Sequence, residues 1–143
     1  MPPEPGVERT DVGFNQPDRD KWANAAENHE IFKAQTVYFD FDSAVVKSSE
    51  KAKIETVAAH LKANPSHGLR VEGNCDERGT EEYNRVLGEH RALAVREVLI
   101  ADGIAPDRLP TISYGEDRPA DPGHSEAAWK KNRRDEFVLL TPK

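Results

Sequence analysis

Residues 73–95 read "GNCDERGTEEYNRVLGEHRALAV". From Thr80 onward the spacing is helical, and an apolar stripe runs through Tyr83, Leu87, Ala94 and Val98. Arg91 stands in the middle of that stripe, where Leu or Ala would be ordinary. A guanidinium on such a face needs an anion, from its own chain or from a ligand. Just ahead, "LRVEG" (69–73) alternates as a strand, with Leu69, Val71 and Gly73 on one side and Arg70 and Glu72 on the other. Strand, charged turn and helix together form a unit of an α/β fold.

The neighbouring segments continue that alternation. "TVYFDF" (36–41) is a strand whose apolar face carries Val37, Phe39 and Phe41. A helix begins near Ser48, an N-cap residue, with Ile54, Val57, Ala58 and Leu61 at i, i+3, i+4 and i+7, and "NPSHG" (64–68) stops it. The second helix starts at Thr80, with Glu81 and Glu82 in the first turn where the macrodipole favours anions. It ends in "ADGIAPDR" (101–108), where Gly103 suits a left-handed position, Ile104 folds back and Pro106 prevents continuation. "TISYG" (111–115) is a third strand, and "SEAAWKKN" (125–132) is a short helix capped by Ser125. "EFVLL" (136–140) is apolar on both faces, so it is a central or well-covered strand. The order β-α-β-α-β-α-β predicts an α/β sandwich, with helices packed on a mixed four-stranded sheet.

Residues 1–20 are rich in Pro, Gly and charge and poor in aliphatics, the composition of a flexible lead. "KWANAAENHEIFKAQ" (21–35) is expected to hold a short helix against the domain, anchored by Trp22 and Phe32. The organisation is therefore a tether over 1–33 and one domain over 34–143.

A chain of 143 residues suits one domain of ordinary size. A net charge of −6 argues against a dedicated nucleic-acid binder, which carries a basic face. Lys130, Lys131, Arg133 and Arg134 form a local basic cluster, followed at once by Asp135 and Glu136. That cluster is read as structural, or as a contact for an anionic ligand. No run of about 18 apolar residues is present to span a membrane. The N-terminus also lacks the basic and apolar regions of a signal peptide. The single cysteine, Cys75, has no disulfide partner, no thiolate metal partners and no neighbouring base, so it reads as a small buried residue. Nothing calls for a metal or another cofactor.

The chemistry gathers after the second strand. Asp76, Glu77, Arg78 and Gly79 make a charged turn, and ligands of α/β sheets collect at such strand-to-helix loops. Thr80, Asn84, Leu87 and Arg91 follow at spacings of four, three and four, so they share a helix face. The set suits a ligand carrying both an ammonium and a carboxylate. Asp76 would take the ammonium, and Arg91 would hold the carboxylate through two parallel hydrogen bonds. The same residues equally allow Asp76 and Arg91 to pair with each other, or with Asp40 or Asp42, to hold the fold.

Several of these stretches together carry a resemblance. "VYFDFDSAVV", "VEGNCDERGTEEYNRVLGEHRALAV" and "SYGEDRPADPGHSEAAWKKNRR", with the strand that follows, resemble the outer-membrane protein A (OmpA) C-terminal family, especially its peptidoglycan-associated lipoprotein branch. The resemblance covers residues 36–141 and implies an OmpA-like fold. It also implies non-covalent binding of peptidoglycan through the diaminopimelate residue of the stem peptide, with Asp76 and Arg91 on that residue's charged end. Further contacts are implied at Phe41, Asp42, Glu77, Arg78, Thr80, Tyr83, Asn84 and Leu87. The implied place is the periplasmic face of the outer membrane of a Gram-negative bacterium, in the Tol-Pal system, with the propeller protein TolB as a partner. Cys75 departs from the branch, which has Thr, Ala or another small residue there; a periplasmic thiol would be open to oxidation. The branch's lipid-modified cysteine is also missing, since this chain starts with Met, and the expectation is an anchor lost from it. A tether of about 30 residues would span roughly 30 Å and stretch to ~100 Å.

Two rival readings differ in class. "VYFDFDSA" resembles the Asp-x-Asp opening of haloacid-dehalogenase-type phosphatases, with Asp40 and Asp42 beside Mg²⁺, but no later acidic pair supplies the metal. The other rival is a protein-interaction domain of the Tol system that does not bind wall. On the wall-binding reading, Asp76→Ala or Arg91→Ala abolishes capture by sacculi and leaves the unfolding midpoint largely intact.

Overall fold

The computed structural model describes residues 21–143; the flexible lead expected over 1–20 lies outside the described residues. One mixed sheet is built from β1 (Ala26–Asn28), β2 (Val37–Tyr38), β3 (Gly68–Asn74), β4 (Thr111–Gly115) and β5 (Arg134–Thr141). The helices are α1 (Lys51–Ala63), α2 (Glu81–Ala101) and α3 (Glu126–Asn132). The sheet runs β1-β5-β3-β4, with β2 also paired to β5. β5 is antiparallel to β1, β2 and β3, whereas β3 and β4 are parallel. β5 is central, as two apolar faces require. Phe137 and Leu139 join the main core, while Val138 and Leu140 are buried outside that cluster.

The sheet has a strand more than the sequence suggested. Within 21–33 a helix was expected, yet Ala26–Asn28 pairs with Leu139–Thr141 of β5. An edge of β5 left open would expose its peptide groups, and β1 and β2 satisfy successive stretches of that edge. Both expected anchors are engaged. Phe32 is buried. The Trp22 indole covers Gly68 so closely that a Cβ there would lie 2.7 Å from the ring, and its Nε1 donates to the Asp107 carbonyl at 2.9 Å.

The first predicted strand is shorter than its alternation implied. Strand pairing ends at Tyr38, and Asp42 turns the chain with a φ of 55°. Val37 and Phe39 are buried as expected, but Phe41 is 57% exposed. Ser48 opens a 3₁₀ turn (Ser48–Glu50) and makes no side-chain cap, so α1 begins at Lys51. The α1 stripe of Ile54, Val57, Ala58 and Leu61 is buried.

α2 has the expected ends. The Thr80 hydroxyl accepts the Tyr83 N–H, and Gly103 adopts a φ of 102° while the Ile104 N–H returns to the Leu99 carbonyl. Its buried face is rotated from the predicted stripe: Leu87, Gly88, Arg91, Ala92, Val95 and Leu99 are buried, whereas Tyr83, Ala94 and Val98 are half-buried. The cause is a contact between two glycines. A Cβ on Gly73 of β3 would fall 1.8 Å from the Gly88 carbonyl oxygen, so the helix backbone lies directly on the strand. That approach turns Arg91 fully inward.

Candidate binding site

The end of β3, the loop after it, the start of α2 and the loop following β2 enclose a cleft of about 360 Å³. Every site residue expected from the sequence lines it except Glu77, and Cys75 and Gly79 join them.

Arg91 closes the floor and is only 1% exposed. Its Nε donates to the Ser43 carbonyl at 2.8 Å, Nη1 to that of Asn74 at 2.9 Å and Nη2 to that of Asp40 at 3.1 Å. The Phe39 ring centroid lies 5.2 Å from the guanidinium carbon. Arg91 therefore stitches the loop after β2 to the end of β3, which gives it a structural role as well. It forms neither of the ion pairs the sequence allowed, with Asp76 or with the Asp40 and Asp42 side chains. Asp40 pairs instead with Lys47 at 3.0 Å, and Asp42 accepts the Tyr83 hydroxyl. Three of the five guanidinium N–H groups are used, which leaves one on each terminal nitrogen.

Asp76 is 4% exposed and already held by its own chain. Oδ1 accepts the Arg78 N–H at 3.0 Å and Nε at 3.3 Å, and Oδ2 accepts Arg78 Nη2 at 2.9 Å. Arg133 Nη1 stands 3.5 Å away. Burial pushes this carboxyl up, but the Arg78 hydrogen bonds and the two guanidinium charges outweigh it and hold Asp76 below the usual carboxylate range. The Arg78 guanidinium lies between the rings of Phe41 (3.9 Å) and Trp129 (4.2 Å), so it joins the two banks of the cleft.

Glu77 points away from the cleft. Its Oε2 meets His124 Nδ1 at 2.6 Å and accepts Trp129 Nε1 at 2.8 Å, which ties the loop after β3 to α3. The sequence reading missed Trp129, although an indole in a short helix beside a basic cluster was a usable signal. Arg133 was left open and is now placed. It is buried, donates from Nε to the Phe39 carbonyl at 2.9 Å, and pairs with Glu126 at 3.2 Å.

The other residues shape the walls. Asn84 Nδ2 donates to Glu116 at 2.7 Å and to the Asp76 carbonyl at 3.3 Å. Cys75 is buried, donates its thiol to the Asn84 carbonyl at 3.1 Å and is pushed up to about 12 by burial, so it is a neutral thiol. Burial and the Asp42 hydrogen bond push the Tyr83 hydroxyl up to about 12. Among the described residues, no three carboxylate, imidazole or thiol groups converge to hold a metal. No helix among them is long and apolar enough to cross a membrane.

A sheet backed by helices, with a charged cleft where β3 passes into α2, defines an α/β domain with a candidate ligand site at a strand-to-helix loop. The OmpA family matches residues 38–133, and the chain belongs to that family. It is 48% identical over 99 residues to the peptidoglycan-associated lipoprotein of Pasteurella multocida, covering 69% of this chain and 66% of that protein. It is 46% identical over 102 residues to the protein of the same name from Pseudomonas putida, covering 71% and 61%. The chain thus spans about two thirds or less of these relatives' lengths. Among solved structures, the peptidoglycan-associated lipoprotein of Burkholderia pseudomallei superposes with a TM-score of 0.71 at 42% identity, covering 73% of this chain and 88% of that one. The C-terminal domain of Helicobacter pylori MotB superposes with a TM-score of 0.67 at 27% identity, covering 73% and 82%.

Proposed function

We propose that this domain is a binding module, not an enzyme, and that it holds peptidoglycan non-covalently through the diaminopimelate residue of the stem peptide. The observation that carries this reading is the cleft itself: a buried guanidinium with N–H groups to spare lies on its floor, and a buried carboxylate lies on its wall. Arg91 grips the ligand's carboxylate with its two remaining N–H groups. Asp76 receives the ammonium. A carboxylate has about four lone-pair positions, and the Arg78 bonds use three of them, so a further donor can join without expelling Arg78. The names of the lipoprotein relatives support the ligand class. The word lipoprotein in those names supports a lipid anchor, and the periplasmic face of the outer membrane is the place proposed for the domain on the family resemblance. TolB is the proposed protein partner, and the exposed Phe41 in the cleft, with the exposed Val45 four residues on, suits such a contact.

The test is co-sedimentation with purified sacculi. Wild type pellets, while Asp76→Ala and Arg91→Lys stay in the supernatant with their folded spectra retained. If both variants pellet as wild type does, the site is misassigned. A chain that captures TolB but never sacculi would instead be an interaction domain.

A further inference from the structure

Asp135 is the second residue of β5 and has no exposed surface, and neither of its carboxyl oxygens has a hydrogen-bond partner. Its backbone pairs with Val37 of β2 and Gly73 of β3. Directly paired residues of antiparallel strands share a face, and a Cβ on Gly73 would meet Gly88 of α2. Asp135 therefore lies beneath α2, on the side of the sheet that carries Arg91. The charged groups acting on it are Arg91 and Glu89 from α2 and Arg134 from its own strand; Val37 brings none from β2, and Cys75 at the exit of β3 is a neutral thiol. Burial holds this carboxyl well above the usual range, with Arg91 and Arg134 pulling it back and Glu89 adding to the rise. Arg91, for its part, has only neutral carbonyls as hydrogen-bond partners.

We propose that Asp135 is a positioning residue for ligand capture: its proton governs how much of the Arg91 charge the cleft offers to a ligand carboxylate. As the neutral acid, Asp135 leaves that charge undiminished. Once ionised, it offsets Arg91 from behind and repels the incoming carboxylate, so binding weakens as pH rises. Asp76, held on the low side of the carboxylate range, stays ionised throughout and does not contribute to the profile. The inference rests on the wall-binding reading.

Isothermal titration of the full chain with a soluble diaminopimelate-containing muropeptide, between about pH 5 and pH 9, tests it. Wild-type affinity is expected to fall roughly tenfold across that range, as for unit charges about 12 Å apart at an effective dielectric constant of about 20. Asp135→Asn is expected to stay flat at the acid-side affinity. Repeating the wild-type titration at the upper pH in buffers of different ionisation enthalpy should reveal proton uptake on binding. This second measurement needs no variant. Superimposable profiles, or binding without proton uptake, overturn the inference while leaving the wall-binding reading standing. No binding at any pH overturns both.

Discussion

Arg70 and Arg91 stand on opposite faces of the sheet and are satisfied in opposite ways. On the outer face, Arg70 donates to both Glu27 oxygens at 2.9 and 3.0 Å and to Glu72 at 2.9 Å. On the helix face, Arg91 is more deeply buried and meets only carbonyl oxygens. Carboxylates answer both the hydrogen bonds and the charge of a guanidinium; carbonyls answer the hydrogen bonds alone. The outer face is thus closed on itself, whereas Arg91 in the cleft has no carboxylate hydrogen-bonded to it among the described residues. On the binding role proposed for Arg91, exposure is a poor guide, since the more accessible arginine is already matched by carboxylates.

The largest effect should come from the contact that sets Arg91's depth. Gly73→Val would force a side chain into the Gly88 carbonyl and lift α2 from β3, costing more than ~3 kcal/mol. Urea unfolding should show it, and a wild-type midpoint would mean that the glycine contact does not set the helix. Next comes Arg91→Ala, which frees three carbonyls and empties the cleft floor. Its expected cost is about 2–4 kcal/mol, together with loss of sacculus capture. That differs from the sequence-based expectation of an intact midpoint, because the sequence did not reveal the three carbonyl bonds.

Asp135→Asn should act in the other direction. A carboxyl whose folded pKa is raised binds more protons in the native state than in the unfolded one. Its contribution is therefore full below the ordinary carboxylate pKa and is lost as pH rises toward the folded value. The amide variant should gain on the wild type by about 1.4 kcal/mol per pH unit above the ordinary carboxylate pKa until the folded value is reached, with the gap closing near pH 4. Paired denaturant curves at about pH 7 and pH 4 check it; a gap that does not depend on pH would mean Asp135 is not held neutral.

The smallest effect belongs to the outer face. The Arg70 hydrogen bonds chiefly, joined by the Arg70 charge and by His29, bring Glu27 down to about 2 against the opposing effect of burial. This lowered pKa stabilises the fold above the ordinary carboxylate range, and the contribution disappears as pH falls from there through about 2. The pair is partly exposed, so Glu27→Gln should cost only ~0–1 kcal/mol in thermal unfolding and leave sacculus binding unchanged. A variant that lost capture would show that the two faces are coupled.

Much of the architecture was legible beforehand, because local physics dictates it. The α1 stripe, the Thr80 and Ser125 caps, the Gly103 stop and the two-faced final strand follow from periodicity and backbone chemistry within a few residues. What escaped the reading depended on distant partners. β1 forms only because β5 offers an edge, and Phe41 is exposed because the chain turns at Asp42. The cleft was foreseen through Asp76, Arg91, Thr80 and Asn84. Glu77 faces Trp129 and His124 instead, since α3 returns to that side of the loop from more than forty residues away.

By itself, then, the sequence determined the α/β alternation, the family and the loop where charged groups gather, all of which are written in residue types at short spacings. The tertiary structure alone decided how those groups are satisfied: Arg91 by carbonyls, Asp76 by Arg78, and Asp135 with no hydrogen-bond partner. The physical reason is that a charge's partners are set by which backbone comes within hydrogen-bonding reach. Here that depends on one helix lying against one strand at Gly73 and Gly88.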